Sequence, residues 1–94
     1  MLNFISLSAI TTVKQTARGE AYVSVPLAFG NKQVNAKIVP TRNQSKTIRI
    51  KDKMTRRSGS TSYIIADPKL RDLVGQEVII QVERKREELI ESID

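Results

Sequence analysis

The sequence predicts a mostly β protein, folded as a small β-barrel made of two similar strand-turn-strand-turn-strand halves, with a short helix near residues 68–74 and a C-terminal helix. Three observations favour this class. The 94 residues can bury only one modest core, which indicates a single domain over residues 1–94. Two Phe, two Tyr and no Trp leave Val, Ile, Leu and Ala to build that core, and β-branched residues favour strands. The apolar runs are short and separated by glycine and proline turns, which is typical of small β proteins.

The first ten residues, MLNFISLSAI, are apolar and predict the first strand. They lack the basic start of a signal peptide and the ~20 apolar residues of a membrane span. Because the chain also has no cysteine, we expect a cytoplasmic location.

Two stretches of the chain repeat one order of elements, repeat one at about residues 12–39 and repeat two at about 48–82. Each contains a strand, a glycine turn, a strand that begins with tyrosine and ends in proline, a second turn and an apolar strand. The tyrosines, Tyr22 and Tyr63, lie 41 residues apart, whereas the valines that lead the last strands, Val34 and Val78, lie 44 apart. The difference predicts a longer connection in repeat two.

That longer connection has the residues of a short helix. Asp67 is a good N-cap, Pro68 suits the first helical position, and Gly75 suits a left-handed stop. The spacing predicts fewer than two turns.

The net charge of +6 lies within one stretch, Arg42–Arg57. Its seven Lys and Arg oppose one acid, Asp52 (7 − 1 = +6), whereas the rest of the chain has nine basic and nine acidic residues. A local excess of this kind creates a surface field that attracts polyanions, so nucleic acid is the expected partner.

Part of this stretch alternates as a half-buried strand does. Ile48, Ile50 and Met54 are expected on one face, with Arg49, Lys51 and Lys53 on the other. Neighbours on one face of a strand are ~6.6 Å apart, which predicts a row of three cations that contacts successive phosphates. The alternative is an edge strand whose lysines only prevent aggregation.

The residue types absent from the chain exclude several functions. Without cysteine and histidine, disulfides and thiolate sites are impossible, and the commonest metal ligand and general base are missing. We therefore expect no metal site, no cofactor and no enzymatic activity.

The tail, residues 83–94 (ERKREELIESID), predicts a helix because it is rich in helix formers and places Leu89, Ile90 and Ile93 on one side. A free helix of this length is marginal in water. Three alternatives stay open: the tail docks on the barrel, pairs with a second copy, or frays.

The order of strand, glycine turn, strand ending in proline, short helix and Gly-x-x-Val strand resembles the AbrB/MraZ family of swapped-hairpin DNA-binding proteins. The resemblance rests on residues 18–19, 22–26 and 30–34 of the first half, and on residues 58–59, 63–68 and 75–78 of the second. It implies an interlocked barrel, both copies supplied by one chain, whose basic strands and loops lie on DNA. By position, the residues that correspond to the basic hairpins are Lys14, Arg18, Arg49, Lys51, Lys53, Arg56 and Arg57. An SH3-like or OB-like barrel is the alternative fold.

The sequence thus predicts a small protein that binds double-stranded DNA, a transcriptional regulator or an antitoxin-type module, with phosphate contacts from its basic strand and loop. The candidate nucleic-acid-binding residues are Lys14, Arg18, Arg42, Lys46, Arg49, Lys51, Lys53, Arg56 and Arg57. Two alternatives stay open: RNA binding by a small β-barrel, with Tyr22 and Tyr63 as possible stacking residues, and a module that binds an acidic protein partner. Monomer and homodimer are equally compatible with the sequence.

Overall fold

The computed structural model describes residues 4–59 and 62–85, which form eight strands and three short 3-10 helices. The strands are β1 (Phe4–Thr12), β2 (Lys14–Gln15), β3 (Ala21–Val25), β4 (Gln33–Pro40), β5 (Ile48–Met54), β6 (Arg56–Ser58), β7 (Ser62–Ala66) and β8 (Glu77–Lys85). The 3-10 helices are η1 (Leu27–Phe29), η2 (Gln44–Lys46) and η3 (Pro68–Leu73).

The described strands make two antiparallel sheets of four strands each. The first sheet has the order β1-β8-β4-β5 and the second sheet the order β2-β3-β7-β6. The mostly β class is therefore confirmed, but these strands form two open sheets instead of the closed barrel that we expected. In each sheet, the inner face is the one that packs on the core and the outer face is the one turned to solvent.

The strand order has an internal twofold symmetry. Exchanging β1 with β5, β2 with β6, β3 with β7 and β4 with β8 turns the strand order of each sheet into its own reverse. Each sheet therefore looks the same when it is read from either edge. The same exchange relates the cross-strand pair of Lys14 and Tyr22 to Arg56 and Ile64, which also lie opposite each other on neighbouring strands. One half thus runs from β1 to β4 and the other from β5 to β8.

The symmetry assigns the equivalent residues of the two halves. An offset of 42 residues relates β2 and β3 to β6 and β7, and Pro26 to Pro68, whereas an offset of 44 relates Val34 to Val78. Two extra residues in the η3 connection account for the difference, as the longer second connection predicted. The tyrosines are not equivalent, because Tyr22 corresponds to Ile64.

The chain passes from the first sheet to the second at two places, where one strand follows the other after a single residue. β1 passes into β2 at Val13, and β5 passes into β6 at Thr55; both residues are at most 2% exposed. The inner faces of both sheets meet in one core, and the 3-10 helices add Phe29, Leu70 and Leu73 to it. The edges β1, β2, β5 and β6 therefore belong to two bent strands, each of which contributes to both sheets.

The predicted short helix forms, as the 3-10 helix η3. The carboxylate of Asp67 accepts a hydrogen bond from the Lys69 amide at 2.9 Å, and Pro68 is the first helical residue. Gly75 has a φ of +87°, in the left-handed region where glycine is favoured. The first strand is also confirmed, as β1.

The predicted C-terminal helix is wrong at its start. Residues 83–85 continue β8, and the register with β1 extends to Phe4 and Lys85. Residues 86–94 lie outside the described residues. Among the helices of the described part, none is long and apolar enough to cross a membrane.

Candidate nucleic-acid interface

A β-bulge interrupts the basic strand β5. Val34 of β4 pairs with Lys53 and Ala36 pairs with Ile50, so Asn35 alone lies opposite residues 51 and 52. The extra residue, Asp52, has a φ of +51°, and its amide donates to the Asn35 side-chain oxygen at 2.9 Å. The bulge shifts the alternation of every later residue in β5 by one position.

The expected row of three cations is therefore broken. Arg49 and Lys51 lie exposed on the outer face of the first sheet, whereas Lys53 pairs with the buried Val34 on the inner side. There its ammonium lies 3.4 Å from the carboxylate of Asp67. The shift also makes Met54, expected on the apolar face, 56% exposed.

The outer face of the first sheet brings Arg49 and Lys51 close to a third cation. Lys37 pairs with Arg49 across β4 and β5, and directly opposite residues share a face of the sheet. We call Lys37, Arg49 and Lys51 the basic face. They line a shallow depression whose other outer-face residues are Ser6, Asn35, Gln81 and Glu83.

Sequence reasoning missed Lys37 as a site residue. The alternation of Val34, Ala36 and Ile38 with Asn35 and Lys37 indicates that Lys37 faces outward. The alternation does not indicate which strand lies beside β4. Only the pairing of β4 with β5, seen in the structure, places Lys37 next to Arg49. Arg49 and Lys51 form no ion pair with any other described residue.

Two further predicted cations lie where the chain enters β5. Arg42 belongs to the turn after β4 and Lys46 ends η2, and both are exposed. They lie at the end of β5 opposite the bulge. The basic face and this entry segment together hold four of the nine candidate residues: Arg42, Lys46, Arg49 and Lys51.

The other five candidates lie at the second sheet or beside it. Lys14 and Arg56 occupy equivalent positions on β2 and β6, and Arg57 follows on β6, where its Nε donates to the Gly59 carbonyl at 3.3 Å. Arg18 lies in the β2–β3 turn and, like Arg56, lines a depression beside Glu20. Lys53, paired with Asp67, completes the group.

Acidic partners reduce the positive field of this second group. Both guanidinium amino groups of Arg56 donate to the carboxylate of Glu20. That hydrogen bonding, helped by the positive charges of Arg56, Lys53 and Arg18, lowers the pKa of Glu20. The same hydrogen bonding and the negative charge of Glu20 raise the pKa of Arg56. Glu20 therefore carries its negative charge at neutral pH and offsets part of the local excess.

We expect the Glu20–Arg56 pair to make the free energy of unfolding depend on pH in the acid range. Because folding lowers the pKa of Glu20, the stabilisation that the pair gives is fully present above the ordinary pKa of 4.5. It is lost as the pH falls through the lowered pKa of the folded state. Both groups are exposed, so the effect is small. We expect E20Q to melt slightly below the wild type at pH 7, with the difference disappearing in acid. R56Q should lose the same pH dependence, and a difference that persists in acid would contradict the assignment.

The tyrosines are not exposed stacking platforms. Tyr63 is half-buried and packs against the core, and Tyr22 is half-buried on the outer face of the second sheet, next to Lys14. Neither lies on the basic face. The two tyrosines that the RNA alternative called for are therefore not placed to stack bases on the basic face.

No known protein family matches this chain, and neither a curated protein nor a solved structure matches it.

Proposed function

We propose that this protein binds nucleic acid, most favourably double-stranded DNA, through the basic face of its first sheet. The single observation that carries the proposal is the group of exposed Arg49 and Lys51 and half-buried Lys37 on one face of a hydrogen-bonded sheet, where none of the three forms an ion pair with another described residue. Side chains on such a sheet keep fixed spacings, ~6.6 Å along a strand and ~5 Å between opposite Cβ atoms. A polyphosphate backbone therefore meets several positioned cations at once and releases its counterions.

Double-stranded DNA is the preferred ligand because recognition of its backbone needs cations and hydrogen-bond donors, not aromatic stacking. The basic face supplies both, since Asn35 and Gln81 add amide groups beside the cations. Arg42 and Lys46 extend the positive surface at the entry to β5. The narrower role of transcriptional regulator or antitoxin-type module rests on the resemblance to the AbrB/MraZ family.

The test compares two variants that each lose two positive charges. R49S/K51S removes charges from the basic face, and K14S/R18S removes the same number from the second sheet's hairpin. Fluorescence anisotropy with a short labelled DNA duplex, measured at several salt concentrations, gives the affinity and its salt dependence. We expect R49S/K51S to weaken binding and to reduce the slope of log affinity against log salt by about 2, because two phosphate contacts are lost. K14S/R18S should change both quantities less.

Each remaining outcome contradicts a definite part of the proposal. Equal losses in both variants would mean that net charge, and not the basic face, governs binding. No binding of the wild type to duplex DNA at low salt would overturn the proposal and favour its alternatives, RNA or an acidic protein partner. Thermal melting should show that both variants stay folded, because all four side chains are exposed.

A further inference from the structure

The two edges of the first sheet are equivalent in the internal symmetry but opposite in chemistry. The β5 edge carries four charged residues and the bulge at Asp52. The Lys69 ammonium also donates to the Arg49 carbonyl at 3.3 Å. Charges, bulges and covered backbone groups are the devices by which proteins prevent edge strands from pairing with other chains.

Within residues 4–59 and 62–85, the β1 edge has none of these protections. Its nine residues, FISLSAITT, include no charged residue, no glycine and no proline. Two of its large apolar side chains are exposed, Leu7 to 44% and Ile10 to 68%. A long, uncharged edge strand with exposed apolar side chains is a template for pairing with another strand.

The backbone of β1 has unused hydrogen-bonding groups along this edge. The Val13 amide donates to the Gln76 carbonyl at 3.0 Å, which places the bonded groups of Val13 toward the β8 side. Because the direction alternates along a strand, the amides and carbonyls of Ser6, Ser8 and Ile10 point away from β8. Among the described strands, none lies on that side of β1.

We propose that β1 pairs with the β1 strand of a second copy of this chain, antiparallel and about a twofold axis at Ser8. This register pairs all nine residues, because Ser8 is the middle residue of β1. It places Ile10 opposite the second copy's Ser6, and Leu7 opposite its Ala9. The two first sheets become one sheet of eight strands.

A second copy fits this edge better than a different peptide does. An isologous interface requires a surface that is complementary to itself, and an uncharged strand meets its own copy without repulsion. The strongly positive β5 edge would repel its own copy. The pairing also leaves the basic face accessible, because β5 lies at the far edge of each sheet. The inference is therefore independent of the proposed function.

Analytical ultracentrifugation of the full chain over a range of concentrations tests the pairing. We expect the wild type to dimerise and S8K to have a dimer Kd at least about tenfold higher, because two lysines would face each other at the twofold axis. S24K is the matched control, since Ser24 is also an exposed serine but lies on β3, an interior strand. S24K should dimerise as the wild type does.

A second measurement keeps the test valid if S8K is poorly folded. Amide hydrogen exchange of the wild type should slow at Ser6, Ser8 and Ile10 as the concentration rises, and not at the interior strand β3. A wild type that stays monomeric, or a dimer without this protection, would overturn the proposal. L89S/I93S, which replaces two apolar residues of the tail, should leave dimerisation intact. If L89S/I93S abolished dimerisation and S8K did not, the interface would belong to the tail and the proposal would be overturned.

Discussion

Replacing Gly30 with alanine is expected to lower the free energy of unfolding by about 1–3 kcal/mol. A Cβ atom at this position would lie 2.6 Å from Cε2, 2.7 Å from Cζ and 2.8 Å from Cδ2 of the Tyr63 ring. The backbone of Gly30, with φ −65° and ψ 135°, suits any residue. The cost therefore comes from the ring, which packs against the core and cannot move without disturbing it.

The other half of the molecule shows the complementary solution. The residue equivalent to Gly30 is Val74, and the residue equivalent to Tyr63 is Ala21. The two halves thus exchange a small and a large residue: glycine accompanies tyrosine in one, and valine accompanies alanine in the other. Conservation of volume across such a pair is the condition for a tolerated change in a packed core.

A double-mutant cycle measures this coupling. Urea denaturation would compare wild type, G30A, Y63A and G30A/Y63A. We expect G30A to be costly in the wild type and nearly neutral in the Y63A background, because the contact is then absent. Equal costs in both backgrounds would contradict the steric explanation. G75A is the control for the backbone alone, because a Cβ there meets open space and only the φ of +87° is unfavourable.

The features that sequence predicts well here are local. The Asp67 cap, the proline that begins η3 and the glycine after it all act within ten residues, and the structure has each of them. Short-range signals of this kind depend on backbone sterics and hydrogen bonds that the chain makes with itself nearby. The succession of strands and turns along the chain is predictable for the same reason, because glycine and proline mark the turns.

The features that sequence missed depend on distant partners. Residues 48–54 alternate well enough to predict a regular strand, but the side chain that binds the Asp52 amide belongs to Asn35, seventeen positions away. Residues 83–85 have helix-forming composition, yet β8 continues because pairing with β1 provides hydrogen bonds for the backbone. Tertiary pairing therefore overrides the local preference in both places.

The candidate site divides in the same way. The sequence located the positive charge correctly, since Arg49 and Lys51 are exposed cations. It could not show that Lys53 and Arg56 have acidic partners, because Asp67 and Glu20 come from the η3 and β3 regions. Nor could it show that Lys37 joins the basic face. Each of these facts is a contact between segments that lie far apart in the chain.

Replacing Thr55 with valine is expected to lower the free energy of unfolding by about 1–3 kcal/mol, because it removes a buried hydroxyl with two partners. The Thr55 hydroxyl donates to the Phe29 carbonyl at 2.6 Å and accepts from the Lys32 amide at 3.1 Å. Thr55 is 2% exposed, so water does not replace these bonds. Valine has nearly the same shape, which isolates the loss of the hydrogen bonds from a change in packing.

The symmetry explains why only one half needs this hydroxyl. In the other half the equivalent residue is Val13, and the Gln76 amide donates directly to the Leu73 carbonyl at 2.9 Å. The equivalent groups, the amide of Lys32 and the carbonyl of Phe29, are instead bridged by the Thr55 hydroxyl. The hydroxyl thus closes a gap in one half that the backbone closes unaided in the other.

Urea denaturation of T55V and T55S distinguishes the hydroxyl from the methyl group. T55S keeps both hydrogen bonds and loses one buried methyl group, so it should cost less than T55V if the bridge is the main contribution. A T55V variant as stable as the wild type would mean that the Lys32 amide and the Phe29 carbonyl had closed into the direct bond of the other half. The two halves would then be interchangeable at this corner, and the threonine would be dispensable for the bend from β5 into β6.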